Sequence, residues 1–230
     1  MKRIGILGGM SPEASIDYYR RLIDLARERW PYKCPEIVVF NLDLERWKNC
    51  VEDREPAKAL AYLREGLAVL HGAGADFAIM ASNTPHMFLD RLAAASPLPI
   101  ISIVKETAKE AGARGFAKVG LLGTAMVMEG RFYAEPFTGR GVRVAVPCPE
   151  ERRYVHGAIV DHLVRGDFRA DIVHGLAAVA KRLAEEEGIQ ALVLGCTELP
   201  LVLDEERVGM PVLNTSLIHV RAAFDRACRE

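Results

Sequence analysis

Three blocks of the 230-residue sequence recur in the same order and at nearly the same spacing. GILGG from Gly5 matches GLLGT from Gly120, 115 residues on; GADFAIMASNT from Gly74 matches GIQALVLGCTE from Gly188, 114 residues on; LPIISI from Leu98 matches MPVLNT from Met210, 112 residues on. One such pair between apolar runs carries little weight, but three in one register point to a duplication. The long period argues for two homologous lobes rather than a solenoid of short repeats.

Within each half, short β-branched or apolar runs alternate with longer segments of helical period. That alternation is the signature of α/β architecture, a parallel sheet covered by helices on both faces. Strands are predicted over Arg3 to Leu7, Glu36 to Asn41, Phe77 to Ala81, Ile100 to Ser102, Lys118 to Leu122, Val142 to Val146, Ala191 to Gly195 and Val212 to Leu213. Helices are predicted over Pro12 to Arg29, Pro56 to His71, Ile103 to Ala113, Met126 to Phe137, Glu150 to Arg165, Ala170 to Glu187 and Ser216 to Arg229. Gly112, Gly115 and the small residues around them interrupt the helical pattern near Ala113 to Ala117, which places the expected boundary between lobes 1–113 and 114–230. The final helix is free to pack back on the first lobe. Lobes this small are expected to face one cleft, the natural place for a ligand.

Composition narrows the function. Thirty Lys and Arg against 31 Asp and Glu give a net charge of −1, without the basic surplus that draws a protein to phosphate backbones, so no nucleic-acid partner is expected. Half the residues are hydrophobic and 27% are charged, the mix of a chain that buries a core. No apolar run approaches the roughly 18 residues of a membrane span, and the sequence enters its first strand without a signal-like series; a cytoplasmic protein with no membrane partner is expected. The five cysteines, at 34, 50, 148, 196 and 228, are odd in number and contain no CxxC pair, so neither a zinc site nor a disulfide frame is predicted. Cys34, Cys50, Cys148 and Cys228 read as small buried apolar residues.

Ligands of open parallel sheets bind beyond the carboxyl ends of the strands, where a loop enters a helix. The duplication sets two such loops in equivalent positions, Ser82-Asn83-Thr84 and Cys196-Thr197-Glu198. Their small polar side chains either cap a helix or, with backbone N–H groups, cradle a carboxylate. Cys196 stands apart, because a thiol with an ordinary pKa of about 8.5 is lowered at the positive end of a helix and becomes a proton acceptor or nucleophile. Gly8-Gly9-Met10-Ser11-Pro12 fits neither a GxGxxG fingerprint nor a P-loop; it permits close approach to a small anion or makes a tight turn. Thr124, in the counterpart loop, donates to the ligand or caps its helix. His86 is a structural hydrogen bonder or a proton relay, and Glu198 polarises the thiol or merely suits a helix start. His156 and His162 lack a third ligand at metal spacing and read as ordinary helix positions, so no metal is expected.

At GILGGMSPEASIDYYRR (5–21), SNTPH (82–86), GLLGT (120–124) and GCTELP (195–200), and over essentially its whole length, the chain resembles the aspartate/glutamate racemase family of cofactor-independent amino-acid racemases. The resemblance implies two pseudo-symmetric lobes with the substrate in the cleft between them, no pyridoxal phosphate or other cofactor, an acidic amino acid or dicarboxylate as ligand, and a homodimer. In two-cysteine members one thiol on each lobe faces the α-carbon. Carried over, Cys196 is the catalytic thiol of the second lobe. Asn83, Thr84, Thr124 and Thr197 are contacts to the substrate carboxylate, with Met10 and Ser11 in the first loop. Arg46, in NLDLERWKN, is the candidate for a distal carboxylate, and Val164 stands where some members have a lysine, with Arg165 beside it. The departure is Ser82, which occupies the place of the second thiol. A serine hydroxyl holds its proton at neutral pH, so a symmetric two-thiol cycle is not available. Ser82 then passes protons through His86 or water, or the enzyme favours one direction or enantiomer, or racemisation is slow and the physiological reaction is a different one. The alternatives are a single-cysteine enzyme of other carbanion or isomerase chemistry, of the malonate decarboxylase or maleate isomerase kind, and a non-catalytic carboxylate-binding protein.

Overall fold

All eight predicted strands form, in two four-stranded sheets, in the computed structural model, which describes residues 1–52 and 55–229. The first unit carries β1 (Ile4–Gly8), α1 (Pro12–Arg29), β2 (Ile37–Asn41), α2 (Leu44–Glu52), α3 (Pro56–Gly72), β3 (Phe77–Met80), α4 (Leu89–Ala93) and β4 (Ile100–Ile101). Next come α5 (Ile103–Ala113), β5 (Lys118–Gly123), α6 (Ala125–Glu129), α7 (Arg131–Thr138), β6 (Arg143–Ala145), α8 (Pro149–Gly157), α9 (Ala170–Glu187), β7 (Ala191–Gly195), α10 (Glu205–Val208), β8 (Val212–Asn214) and α11 (Thr215–Cys228). Every pairing is parallel, and the strand orders are β2-β1-β3-β4 and β6-β5-β7-β8.

The duplication extends to single hydrogen bonds. Ile4 pairs with Phe77 in the first sheet and Val119 with Ala191 in the second, the same rung after shifts of 115 and 114 residues. Asp76 N–H donates to the Arg3 carbonyl as Gln190 N–H does to that of Lys118, and Ala78 N–H to Pro99 as Leu192 N–H to Pro211.

Burial on both faces explains the unbroken apolar strands. Along β1, Ile4 and Ile6 join a cluster with Tyr18 and Leu22 of α1, while Leu7 joins Leu63, Leu67 and Leu70 of α3. Along β3, Phe77 and Ile79 go one way and Ala78 and Met80 the other, the two-residue period of a strand. Helix α1 starts where Ser11 caps it, accepting the Ala14 N–H, with Pro12 in its first turn; Ala14, Tyr18, Leu22 and Ala26 then recur every fourth residue as its buried stripe.

The chain divides into Met1–Ile103 with His219–Glu230, and Val104–Ile218. The first crossing falls ten residues before the expected boundary. The glycines that suggested it end α5 instead: Gly115 takes φ +74° and bonds its N–H to the Gly112 carbonyl, a helix terminus rather than a linker. Helix α5 thus follows the first sheet in sequence but belongs to the second unit. The end of α11 does the reverse, placing Val220, Ala223, Phe224 and Ala227 in the cluster with Ile4 and Tyr18.

Two helices expected to be continuous are broken. Gly130 is extended and separates α6 from α7. The 150–165 segment leaves α-helix at Gly157, passes through a wide π turn over Ala158–His162 and a 3-10 turn over Leu163–Arg165, and stops at Gly166 with φ +75°. Helix α2, unforeseen, buries Trp47 and Cys50. Cys34 and Cys148, expected to be buried, are exposed, one in the irregular stretch before β2 and the other at the residue that caps α8.

Gly9 has φ +85°, and a Cβ there would lie 2.1 Å from the Leu42 carbonyl oxygen. Gly9→Ala is therefore expected to cost on the order of 3 kcal/mol through backbone strain and collision. Thermal unfolding of the full chain checks it, and an unchanged midpoint would refute the steric account.

Candidate active site

In each sheet the strand order reverses between the first and third strands, so the crevice beyond their carboxyl ends is the place a ligand fits. The loops there are Gly9–Ser11 and Ser82–Thr84 in the first unit, and Thr124 and Cys196–Glu198 in the second.

The loop after β1 is committed to the fold. Ser15 Oγ accepts the Gly9 N–H, Ser11 Oγ caps α1, and the Met10 side chain lies in the core with Leu42 and Trp47. The paired glycines serve a tight turn against Leu42, and the Ser11 hydroxyl, expected at the substrate, accepts the Ala14 N–H.

Ser82 follows β3 half-buried and leads through buried Asn83 into a 3-10 turn over Thr84–Phe88. His86 on this turn is buried, and both its ring nitrogens meet backbone: Nδ1 lies 3.0 Å from the Ser82 carbonyl oxygen, and Nε2 accepts the Ile103 N–H at 3.3 Å. The ring is therefore neutral with its proton on Nδ1. Burial lowers its pKa to about 4, so it stays uncharged at neutral pH. Of the two roles expected for this ring, structural hydrogen bonder or proton relay, these contacts are those of a structural hydrogen bonder, with the Ser82 carbonyl as one partner.

Across the duplication, β7 delivers Cys196, Thr197 and Glu198, all buried. The Cys196 thiol donates to Glu198 Oε2 at 2.7 Å, and the Thr197 hydroxyl donates to the same oxygen at 3.0 Å. Glu198 Oε1 is buried with no hydrogen-bond partner among the described residues. Burial and the adjacent Glu198 carboxylate push the thiol well above its ordinary pKa, against a smaller opposing pull from the Glu198 and Leu199 N–H groups. This reverses the expected lowering by a helix: the turn after Glu198 is a three-residue 3-10 turn, Leu199–Leu201, too short to build a macrodipole. Glu198→Gln removes the charge but not the burial, so the pH midpoint for alkylation of Cys196 by iodoacetamide should move down while staying above that of an exposed thiol. Peptide-resolved mass spectrometry reads this, and an unmoved midpoint would show that the carboxylate does not act on the thiol.

Thr124 opens α6 in the second unit. The next amide, of Ala125, donates to His156 Nδ1 at 3.3 Å, so His156, expected as an ordinary helix position, is brought to this loop. Arg46 on α2 is exposed, its guanidinium on the Glu65 carboxylate at 3.1 Å and over the Tyr62 ring at 3.9 Å, so its charge is already compensated. His162 bonds Asp167 at 2.7 Å, and Arg165 is exposed. Sequence reasoning missed Tyr18 and His219, whose side chains bond each other at 3.1 Å beside His86. Among the described residues no cluster of three metal-binding side chains occurs, and no helix is long and apolar enough to cross a membrane.

Parallel sheets with polar loops at their switch points and a buried thiol–carboxylate pair define an α/β protein suited to small-molecule proton chemistry. Comparison with known proteins makes the class specific. A profile of the Asp/Glu/hydantoin racemase family matches residues 7–223, and the chain belongs to that family, an isomerase class. The broad specificity amino-acid racemase RacX of Bacillus subtilis is 24% identical over 219 residues, covering 93% of this chain and 92% of that protein. Two crystal structures match over the full length of both chains at 31% identity: a putative Asp/Glu racemase from Yersinia pestis, TM-score 0.90, and PH1733, an aspartate racemase homologue from Pyrococcus horikoshii, TM-score 0.85.

Proposed function

We propose that the protein is a cofactor-independent racemase of an acidic amino acid or close analogue, with Cys196 as principal base and acid and Ser82 in the place of a second thiol. The carrying observation is the buried Cys196–Glu198 pair at 2.7 Å, on the loop that the duplication matches to Ser82-Asn83-Thr84.

Racemisation passes through a near-planar carbanion. It needs a base on one face of the α-carbon, an acid on the other, and donors for the charge that develops on the carboxylate. In this reading the Cys196 proton moves to Glu198 Oε2, the thiolate takes the α-proton, and the Cα–H electron pair spreads into the substrate carboxylate. Asn83, Thr84 and Thr124 are the side-chain donors for that carboxylate, and Thr197, whose hydroxyl is given to Glu198, is assigned to it through its backbone N–H. Return of the proton from Cys196 restores the starting enantiomer, whereas inversion requires delivery from the opposite face, the task assigned to Ser82, whose alkoxide then regains a proton from solvent as Glu198 releases the one it took.

Each enantiomer of aspartate, glutamate and their close analogues, incubated with the protein in heavy water, tests this. Exchange of the α-proton together with inversion is the expected result; neither process with any of them would refute the racemase reading. The serine at position 82 favours one second reading, single-thiol carbanion chemistry, for which exchange proceeds without inversion.

A further inference from the structure

His86 and His219 are fully enclosed imidazoles that the proposed reaction does not use, and each is bonded on both nitrogens. His86 joins the Ser82 carbonyl to the Ile103 N–H. His219 joins the Ile101 carbonyl, 3.0 Å from its Nε2, to the Tyr18 hydroxyl, 3.1 Å from its Nδ1. The partners dictate opposite tautomers. The Ile103 N–H can only donate, so His86 carries its proton on Nδ1; the Ile101 carbonyl can only accept, so His219 carries its proton on Nε2 and takes the tyrosine hydroxyl on Nδ1. The two rings meet edge to face, with centroids 5.9 Å apart at 75°.

We propose that His86 and His219 form a neutral clasp that fixes the Ser82 loop, making His86 a positioning residue for Ser82 and Asn83. The bond to the Ser82 carbonyl sets the peptide plane between these two residues. It thereby directs both the serine side chain and the Asn83 N–H. The clasp closes on the places where the chain leaves and re-enters the first unit, since Ile103 is the last residue before the crossing and His219 the first after the return. Among the described residues the equivalent position in the other half of the duplication carries no histidine. The residue 114 positions beyond His86 is Pro200, which has no ring donor, and there the loop is tied by Glu198, whose own counterpart is Thr84. Thus the loop bearing serine is held through its backbone from outside, and the loop bearing cysteine through its own side chains.

Two substitutions in the full-length chain separate the bonds of His86. Asparagine places an amide donor near Nδ1 and keeps the bond to the Ser82 carbonyl; glutamine places its oxygen near Nε2 and keeps the Ile103 N–H instead. Losing a buried bond of this kind costs enough to speed local opening about tenfold, so His86→Gln should raise amide hydrogen exchange over Ser82–Thr84 about tenfold while His86→Asn stays close to wild type. Equal exchange in the two variants, or no change in either, would overturn the clasp. If both variants fail to fold, nitrogen-15 shifts of the wild-type imidazoles decide: a proton on Nε2 of His86 or on Nδ1 of His219 would refute the arrangement, and the opposite pattern supports it. A kinetic consequence rests on the racemase reading: kcat for inversion should fall in the order wild type, His86→Asn, His86→Gln, with KM little changed. Because loop exchange needs no substrate, it tests the clasp even if no amino acid is turned over, and racemisation with an indifferent loop would remove the clasp alone.

Discussion

Replacing Cys196 by alanine should reduce α-proton exchange by about a thousandfold or more, since it removes the group to which the proposed function assigns both taking and returning the proton. Ser82→Ala should behave differently. It leaves the Cys196–Glu198 pair intact, so exchange with retention continues for the enantiomer whose α-proton faces the thiol, while inversion is lost. Ser82→Cys should raise inversion, because a thiol gives up its proton far more readily than a hydroxyl does. Proton NMR in heavy water measures exchange, and chiral chromatography of the same samples measures inversion. Exchange that survives Cys196→Ala would remove the thiol from the reaction, and inversion that survives Ser82→Ala would remove the serine.

The contrast rests on the surroundings of each group. Cys196 clusters with apolar residues including Leu122, Leu194 and Leu199, and its polar partner is a carboxylate that raises its pKa while offering its proton a destination 2.7 Å away. A thiol so placed is protonated at neutral pH, and under the proposed function it acts as a base as its proton moves to Glu198.

Much of the architecture is legible in the sequence because it depends on local patterns. Strands buried on both faces must be apolar runs, and a duplicated unit must repeat its spacing, so all eight strands and the equivalence of Ser82 with Cys196 can be read directly. The hidden features depend on which element packs on which. Helix α5 carries no mark in its sequence that it will leave the sheet it follows, whereas the return of the final helix to the first lobe is one of the arrangements the sequence leaves open. His219 lies in an unremarkable helical stretch, IHVRAA, and matters only because folding sets it against His86 and Tyr18. The direction of the Cys196 pKa is hidden for the same reason: the loop sequence suggests a helix start, whereas burial and Glu198 decide.

The buried histidines also predict how the first unit responds to acid. Burial is the leading cause of both shifts, lowering His86 to about 4 and His219 to about 3, the latter helped by repulsion from His86, against ordinary values near 6.5. Between pH 6.5 and about 4 the unfolded chain binds protons at these positions and the folded chain does not, so unfolding takes up protons and stability falls with pH. The contribution is intact above pH 6.5. Below it, the loss approaches about 1.4 kcal/mol per pH unit for each histidine, several kcal/mol in all before the folded rings themselves titrate. Both tryptophans, Trp30 and Trp47, lie in the first unit, so their fluorescence follows that unit through urea unfolding at pH 7, 5.5 and 4.5. The expected result is a midpoint nearly constant above pH 6.5 and falling steeply below it, with a shallower fall in His86→Asn, which removes one of the two titrating rings. A wild-type midpoint that stays flat from pH 6.5 to 4.5, or a variant that falls as steeply, would show that the rings are not held neutral by the fold.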